Sequence, residues 1–348
     1  MRILLAAPTF GVYGGIEAFT MVLGDWLRRY TDHDVRVCFK RVNDAPVAPA
    51  LEARCRQLDL PYRFVSRGSN ELWQDIRWAQ VVHGNTCSPD IALFAKLARK
   101  PLVLTIHNWF RGHRGWRNRL WYACNRLADW RTYNSAFVAG TWEPGGPRAH
   151  SDVIPTVSHL PEDEVPLEAR CGFLFVARLI DNKGLDILVE AYERARLDRA
   201  AWPLYIAGDG PLRPWLERRL AARRLDGVEV LGFVPEAEKA LRIARAKWLV
   251  APANTKEDMG LTPIEARSVA VPAIVTRDGG LPEAGGPAAL LCAPGDVADL
   301  TRALERAAAM GDEEYRRRAR LAKDSLREYL RPLSAYVDIY ERVTGRRP

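Results

Sequence analysis

Glu257-Asp258-Met259-Gly260-Leu261-Thr262-Pro263-Ile264-Glu265, followed by Gly279-Gly280-Leu281-Pro282-Glu283, is the stretch that organises the reading of this 348-residue chain. Two carboxylates bracket an expected helix start. A helix N-terminus presents unpaired backbone N–H groups and a positive dipole end, which suits a phosphate, and flanking carboxylates suit hydroxyl groups. On one continuous helix, residues eight apart would sit about 12 Å apart along the axis and about 80° apart around it. Glu257 and Glu265 therefore cannot form one close catalytic pair. The spacing places Glu257 in the loop after an apolar strand at residues 248–252, the Gly260-Leu261-Thr262 amides at the helix start, and Glu265 about one turn inside. Each carboxylate would then hold a different end of one extended ligand, as in a nucleotide sugar.

Further segments follow in order. Phe173-Leu174-Phe175-Val176-Ala177-Arg178-Leu179 leads into Lys183-Gly184-Leu185-Asp186; Leu204-Tyr205-Ile206-Ala207-Gly208-Asp209-Gly210 and Val228-Glu229-Val230-Leu231-Gly232 come next. The ordered set, across residues 170–300, resembles the retaining glycosyltransferases of family four, with their E-x7-E signature. That resemblance implies an α/β chain of the GT-B fold: two Rossmann-like parallel-sheet domains facing across a cleft. It places an N-terminal acceptor domain over residues 1–162, completed by a C-terminal helix at 331–348, and a nucleotide-sugar donor domain over 163–330. An acidic, Pro-containing stretch at 159–166 has the composition of a linker.

The alternation of strand and helix patterns is that of doubly wound sheets. In the first half, strands are expected at residues 2–7, 35–39, 81–82, 102–106 and 136–139, with helices at 16–30 and 89–97. Ligands bind such sheets at the carboxyl ends of the strands. The loops there hold Gly11-Val12-Tyr13-Gly14-Gly15-Ile16-Glu17 after the first strand, His83 after residues 81–82, and His107-Asn108 after 102–106. A glycine turn lets backbone amides approach a ligand closely. Its spacing is not G-x-G-x-x-G, which argues against a nicotinamide dehydrogenase. A neutral imidazole at His107 could donate to a sugar hydroxyl.

The resemblance carries roles with it. Glu265 would hold the ribose hydroxyls, and Glu257 with the Asp258-Met259-Gly260-Leu261 backbone and Thr262 would position the hexose. Arg178 and Lys183, with Gly208 nearby, would neutralise the departing diphosphate, since cations placed there stabilise charge that grows in the transition state. His107, Gly14 and Gly15 would border the reacting sugar, with Glu17, His83 and Asn108 on the acceptor side. Retention would proceed by attack of the acceptor on the face from which the diphosphate leaves. A cationic pair can replace a divalent ion, so no metal is expected; Asp32-His33-Asp34 lies at the amino edge of its strand. Asp258, Met259 and Ala270 depart from the family pattern.

A net charge of +8 indicates attraction to anions without choosing among them. Arginine clusters at 218–219, 223–224 and 316–318 read as solvated faces. Nucleic-acid motifs are lacking, and no partner of that kind is expected. No apolar run approaches the roughly 20 residues of a membrane span, and Met1-Arg2-Ile3-Leu4-Leu5 reads as a first strand. Six scattered cysteines suggest buried thiols in a reducing cytoplasm. Residues 109–131 interleave Trp, Tyr and Arg. They fit either a peripheral contact with an anionic membrane face or a core stripe of Trp116, Leu120, Leu127 and Trp130. The expected activity is hexose transfer from a nucleotide-diphosphate sugar to a glycan or lipid-linked glycan. A nucleotide-sugar epimerase of the same fold and a non-catalytic sugar-nucleotide or membrane-binding module stand as alternatives.

Overall fold

A computed structural model describes residues 1–11, 14–42, 46–146, 148–223 and 225–345. Val12 and Tyr13 of the first glycine turn, Arg224 and residues 346–348 of the expected C-terminal helix lie outside the described residues. The chain divides into two compact units: residues 1–158 with 331–348, and residues 159–330.

Unit 1 runs β1 (Arg2–Thr9), α1 (Gly15–Tyr30), β2 (Asp34–Arg41), α2 (Pro49–Gln57), β3 (Tyr62–Val65), α3 (Asn70–Trp78), β4 (Val81–Asn85), α4 (Pro89–Leu97), β5 (Leu102–Ile106), α5 (Trp116–Leu127), β6 (Trp130–Tyr133), α6 (Ala136–Trp142) and β7 (Ser151–Val153). All its strand pairs are parallel, in the order β3-β2-β1-β4-β5-β6-β7. Unit 2 runs β8 (Cys171–Val176), α7 (Leu185–Arg194), β9 (Leu204–Ala207), α8 (Arg213–Arg223), β10 (Val228–Gly232), α9 (Glu236–Arg245), β11 (Ala246–Ala251), α10 (Leu261–Ser268), β12 (Ala273–Thr276), α11 (Leu281–Gly285), β13 (Leu290–Cys292), α12 (Val297–Ala308) and α13 (Asp312–Tyr329). Its sheet is also parallel throughout, ordered β10-β9-β8-β11-β12-β13. The last helix, α14 (Ser334–Val343), returns to unit 1 and buries Tyr336, Ile339 and Tyr340 in its core with Phe19, Val37 and Val103.

Each sheet is apolar on both faces because helices cover both, which is why its strands read as continuous runs and not as alternating patterns. Unit 1 has one core layer around Ile3, Leu5 and Phe39 and another around Leu4, Val82 and Leu104. Strand order reverses between β1 and β4 in unit 1 and between β8 and β11 in unit 2. At such switch points successive loops diverge and leave a crevice.

Two expectations of local structure need correction. Residues 136–139 are not a strand but the first turn of α6, whose N-cap Ser135 accepts from the Val138 amide. Such a short apolar run cannot declare its type by periodicity, whereas a serine cap does. The neighbouring strand is β6, so Trp130 belongs to a sheet and not to a helical stripe. The stripe itself also faces the other way: Trp116, Leu120 and Leu127 are exposed, while α5 buries Cys124 and Asn125. Among the cysteines, Cys171 is exposed and the other five are buried, none in a disulfide.

Candidate functional site

In unit 2 the loops at the switch point converge. After β8 the chain passes Arg178, which is exposed, and a 3-10 turn at Asp181–Lys183 that ends at left-handed Gly184, the N-cap of α7. A Cβ at Gly184 would fall on the Pro252 carbonyl, so only glycine lets the two loops touch there. The Asn254 side chain donates to the Asp181 carbonyl at 3.0 Å, and its amide to Asn182 at 3.2 Å. The loop after β9 is tied in by the Leu179 amide, which donates to the Asp209 carbonyl at 2.9 Å. Gly208 lies in this seam, its amide donating to the Gly232 carbonyl at 2.7 Å.

These ties bring Lys183 and Glu257 into an ion pair, Nζ to Oε1 2.7 Å, both side chains largely buried. The second glycine pair supports the same loop from below. Gly280 donates its amide to the Glu257 carbonyl at 2.8 Å. Cβ atoms at Gly279 and Gly280 would lie 2.7 Å from the Glu257 nitrogen and 2.9 Å from the Met259 Cα. Close backbone-on-backbone packing, not ligand contact, therefore explains that pair. Met259 is buried, so only its backbone is available to a ligand, while Asp258 and Thr262 are half-exposed.

α10 begins at Leu261 after Gly260, which has φ 103° and supplies no side-chain cap. As the N-cap residue, Gly260 itself offers no side chain to the first amides of the helix. Glu265 sits inside the helix and is 5% exposed. Its Oε1 accepts from Lys239 of α9 at 2.9 Å, while its Oε2 is buried without a partner. Burial raises the Glu265 carboxyl above its usual range, with Lys239 pulling the other way. Lys239 loses proton affinity through burial but gains more from Glu265 and Glu236, so it is held protonated. A buried acceptor atom without a donor is expensive unless something supplies one.

Sequence reasoning missed three residues that hold this arrangement. Lys239 had no motif around it. Buried Arg170 donates to the Ala270 and Val269 carbonyls at 2.6 and 2.9 Å, closing the C-terminal end of α10. Buried Arg267 donates to the Glu283 and Ala284 carbonyls and to the Ala322 carbonyl, locking α10 to α11 and α13. Arg170 directly precedes the apolar strand β8 and Arg267 stands between Ala266 and Ser268 of α10, neither within a motif.

In unit 1 the corresponding edge is less complete. Gly14 caps α1, and Glu17, three residues on, folds back over it; the carboxylate takes the Gly14 and Glu17 amides and the Thr9 hydroxyl. Burial nonetheless raises its pKa. The helix end expected to receive an anion thus already carries a carboxylate. His107 follows β5 and is buried, with Nδ1 3.4 Å from Thr156 Oγ1 and Nε2 unpartnered; burial lowers its pKa to about 4. Asn108 follows it, and its carbonyl accepts from Trp142 Nε1 at 2.8 Å. His83 does not follow its strand. It lies within β4, fully buried, with Nδ1 2.7 Å from the Tyr340 hydroxyl and Nε2 2.7 Å from the Thr105 hydroxyl. Burial pushes its pKa down to about 3, and with both nitrogens engaged it ties α14 to the sheet. A separate cavity of about 500 Å³, lined by Phe110, His113, Tyr122, Trp142 and Arg148, contains none of the expected site residues. Among the described residues no three of His, Cys, Asp and Glu converge as a metal site, and no helix is long and apolar enough to cross a membrane.

Comparison with known proteins bears on both units. The family described as Glycosyl transferases group 1 matches residues 170–309, and Glycosyltransferase Family 4 matches residues 13–157. The chain is a family-four-like glycosyltransferase. This glycosyltransferase is 28% identical over 286 residues to the glycogen synthase of Mycobacterium tuberculosis, covering 76% of this chain and 67% of that one. It is 35% identical over 162 residues to the D-inositol 3-phosphate glycosyltransferase of Gordonia bronchialis, covering 42% and 35%. Its fold matches HepE of Anabaena, solved with UDP and glucose, at TM-score 0.79 and 18% identity over 99% of this chain and 98% of that one. A glycosyltransferase from Rickettsia africae matches at TM-score 0.80 and 16% identity, over 98% of each. The architecture is GT-B.

Proposed function

We propose that this glycosyltransferase moves a hexose from a nucleotide-diphosphate sugar to a glycan or lipid-linked glycan, with retention of configuration and without a metal. The observation that carries the reading is the unit 2 switch point. Lys183 meets Glu257 there, and Glu265 holds a buried oxygen that lacks a donor, which a ribose hydroxyl would supply. The complex of HepE with UDP and glucose supports a uridine or similar nucleotide donor.

The physical roles follow from placement. Exposed Arg178 can grip phosphate oxygens bidentately, and Lys183 can turn from Glu257 towards the diphosphate as charge builds on it. Glu257, released from that pair, would take a hexose hydroxyl. The leaving phosphate oxygen would accept the acceptor's proton, so no protein base is assigned. We assign acceptor recognition to unit 1, with His107 and Asn108 at the carboxyl end of β5.

Ligand-detected NMR against uridine and guanosine diphosphate sugars tests the donor site, using Glu265→Ala and Arg178→Ala. Selective binding lost in both variants is expected; binding indifferent to both would refute the assignment. The anomeric configuration of the product and turnover in excess chelator check retention and metal independence. Consumption of donor without an acceptor would instead indicate an epimerase.

A further inference from the structure

The charge of this protein is not evenly spread. Residues 91–128 contain eight lysines and arginines and no aspartate or glutamate, while the whole chain has 51 basic and 43 acidic residues. The excess in this one segment of unit 1 therefore equals the net charge of the molecule.

The same segment exposes large apolar side chains. On α5, Trp116, Leu120, Ala123 and Leu127 recur at spacings of four, three and four, so they form one stripe along the helix. Trp116 is 69% exposed, Leu127 44% and Leu120 36%; Ala123 is exposed as well. α4 packs beside α5 and adds Leu93 and Leu97, both more than half exposed. Six of the thirteen large exposed apolar residues among those described lie between positions 93 and 127. Arg119 and Arg126 flank one side of the stripe and Arg117 the other, and all three are exposed. Arg117 lies over the Trp116 ring at 5.5 Å. Among the described residues, none of Arg99, Arg114, Arg117, Arg119 and Arg126 pairs with a carboxylate.

An ordinary solvated helix does not place tryptophan and leucine outward along about three turns while burying asparagine. A dimer face would call for acidic residues to answer its arginines, and α5 carries none: residues 116–127 contain no aspartate or glutamate, and Asp129 just beyond them is already paired with Lys96 of α4. An interfacial helix has the observed layout: an apolar stripe bordered by cations, with tryptophan at the boundary. We propose that the α4–α5 face of unit 1 docks this enzyme on an anionic lipid bilayer, the stripe entering the headgroup region and the arginines meeting lipid phosphates. This is independent of the donor site and survives or fails without it.

The test uses the full chain in co-sedimentation with vesicles of phosphatidylcholine alone and of phosphatidylcholine mixed equally with phosphatidylglycerol. Partitioning onto the anionic vesicles is expected to exceed that onto neutral ones by at least about tenfold, and to fall as salt rises. Trp116→Ser with Leu120→Ser, and separately Arg117→Glu with Arg119→Glu, should each lower it about tenfold. Leu321→Ser, an exposed leucine on α13, should leave it unchanged. All these positions are exposed, so unchanged thermal unfolding confirms that the variants fold. Equal partitioning onto both vesicles, no partitioning, or indifference to both double variants would overturn the proposal. So would self-association abolished by Trp116→Ser, or retention on single-stranded RNA in place of vesicles.

Discussion

Replacing Lys239 by methionine tests whether the Glu265 carboxylate is held charged inside unit 2. The Lys239 and Glu265 side chains are 17% and 7% exposed and 2.9 Å apart. Removing one partner of such a buried pair leaves the other uncompensated, which costs about 3 kcal/mol. The penalty is limited by protonation: without Lys239, burial, with the Glu236 charge adding to it, raises the carboxyl's pKa further above the unfolded value. A carboxyl whose folded pKa lies above the unfolded one destabilises the protein at high pH, and the penalty shrinks as pH falls towards the unfolded pKa. Lys239→Met should therefore lose about 3 kcal/mol at pH 8, or about 6–12 °C in unfolding midpoint for a unit of this size, and visibly less at pH 5. Glu265→Gln in the Lys239→Met background should recover most of the loss, since a neutral amide needs no cation. Chemical denaturation of the wild type, both single variants and the double variant at the two pH values measures the coupling. A loss below about 1 kcal/mol, or one of equal size at both pH values, would refute the argument.

Unit 1 should be acid-sensitive. His83 and His107 are kept neutral by burial, at about 3 and about 4, so stability present above the unfolded value near 6.5 is lost as pH falls towards those values. At pH 5 the loss approaches about 2 kcal/mol per histidine, and His83→Phe should flatten the pH dependence of unfolding. Gly279→Ala should displace the Glu257 loop, because its Cβ would meet backbone and not a movable side chain. Shifts of that kind cost about 100-fold in rate, read as kcat/KM with the fold intact by circular dichroism. Ala270 adopts φ 56° just past α10; Ala270→Gly should raise stability by about 0.5–1 kcal/mol, the left-handed strain outweighing glycine's extra chain entropy.

Much of this protein was readable because parallel strands buried on both faces are short apolar runs, and β5 and β8 announced themselves in that way. The loops that follow them could be read too, because Lys183-Gly184 and Gly260 mark chain reversals that need particular residue types. The 3.6-residue period excluded a close pair of Glu257 and Glu265 on one helix, and the helix start expected at Gly260-Leu261-Thr262 after the apolar strand put Glu265 about one turn inside α10. Other features depended on partners distant in sequence. Nothing near His83 shows that Tyr340, 257 residues later, takes one of its nitrogens. Lys239 is an ordinary helical lysine until α9 packs beside α10 and desolvates it against Glu265. The α5 stripe shows the same division most plainly: its periodicity establishes that Trp116, Leu120 and Leu127 share a face, and only packing decides which face is covered. Local spacing determines which side chains stand together along one element; burial, and with it charge state and exposure, belongs to whatever the rest of the chain brings alongside.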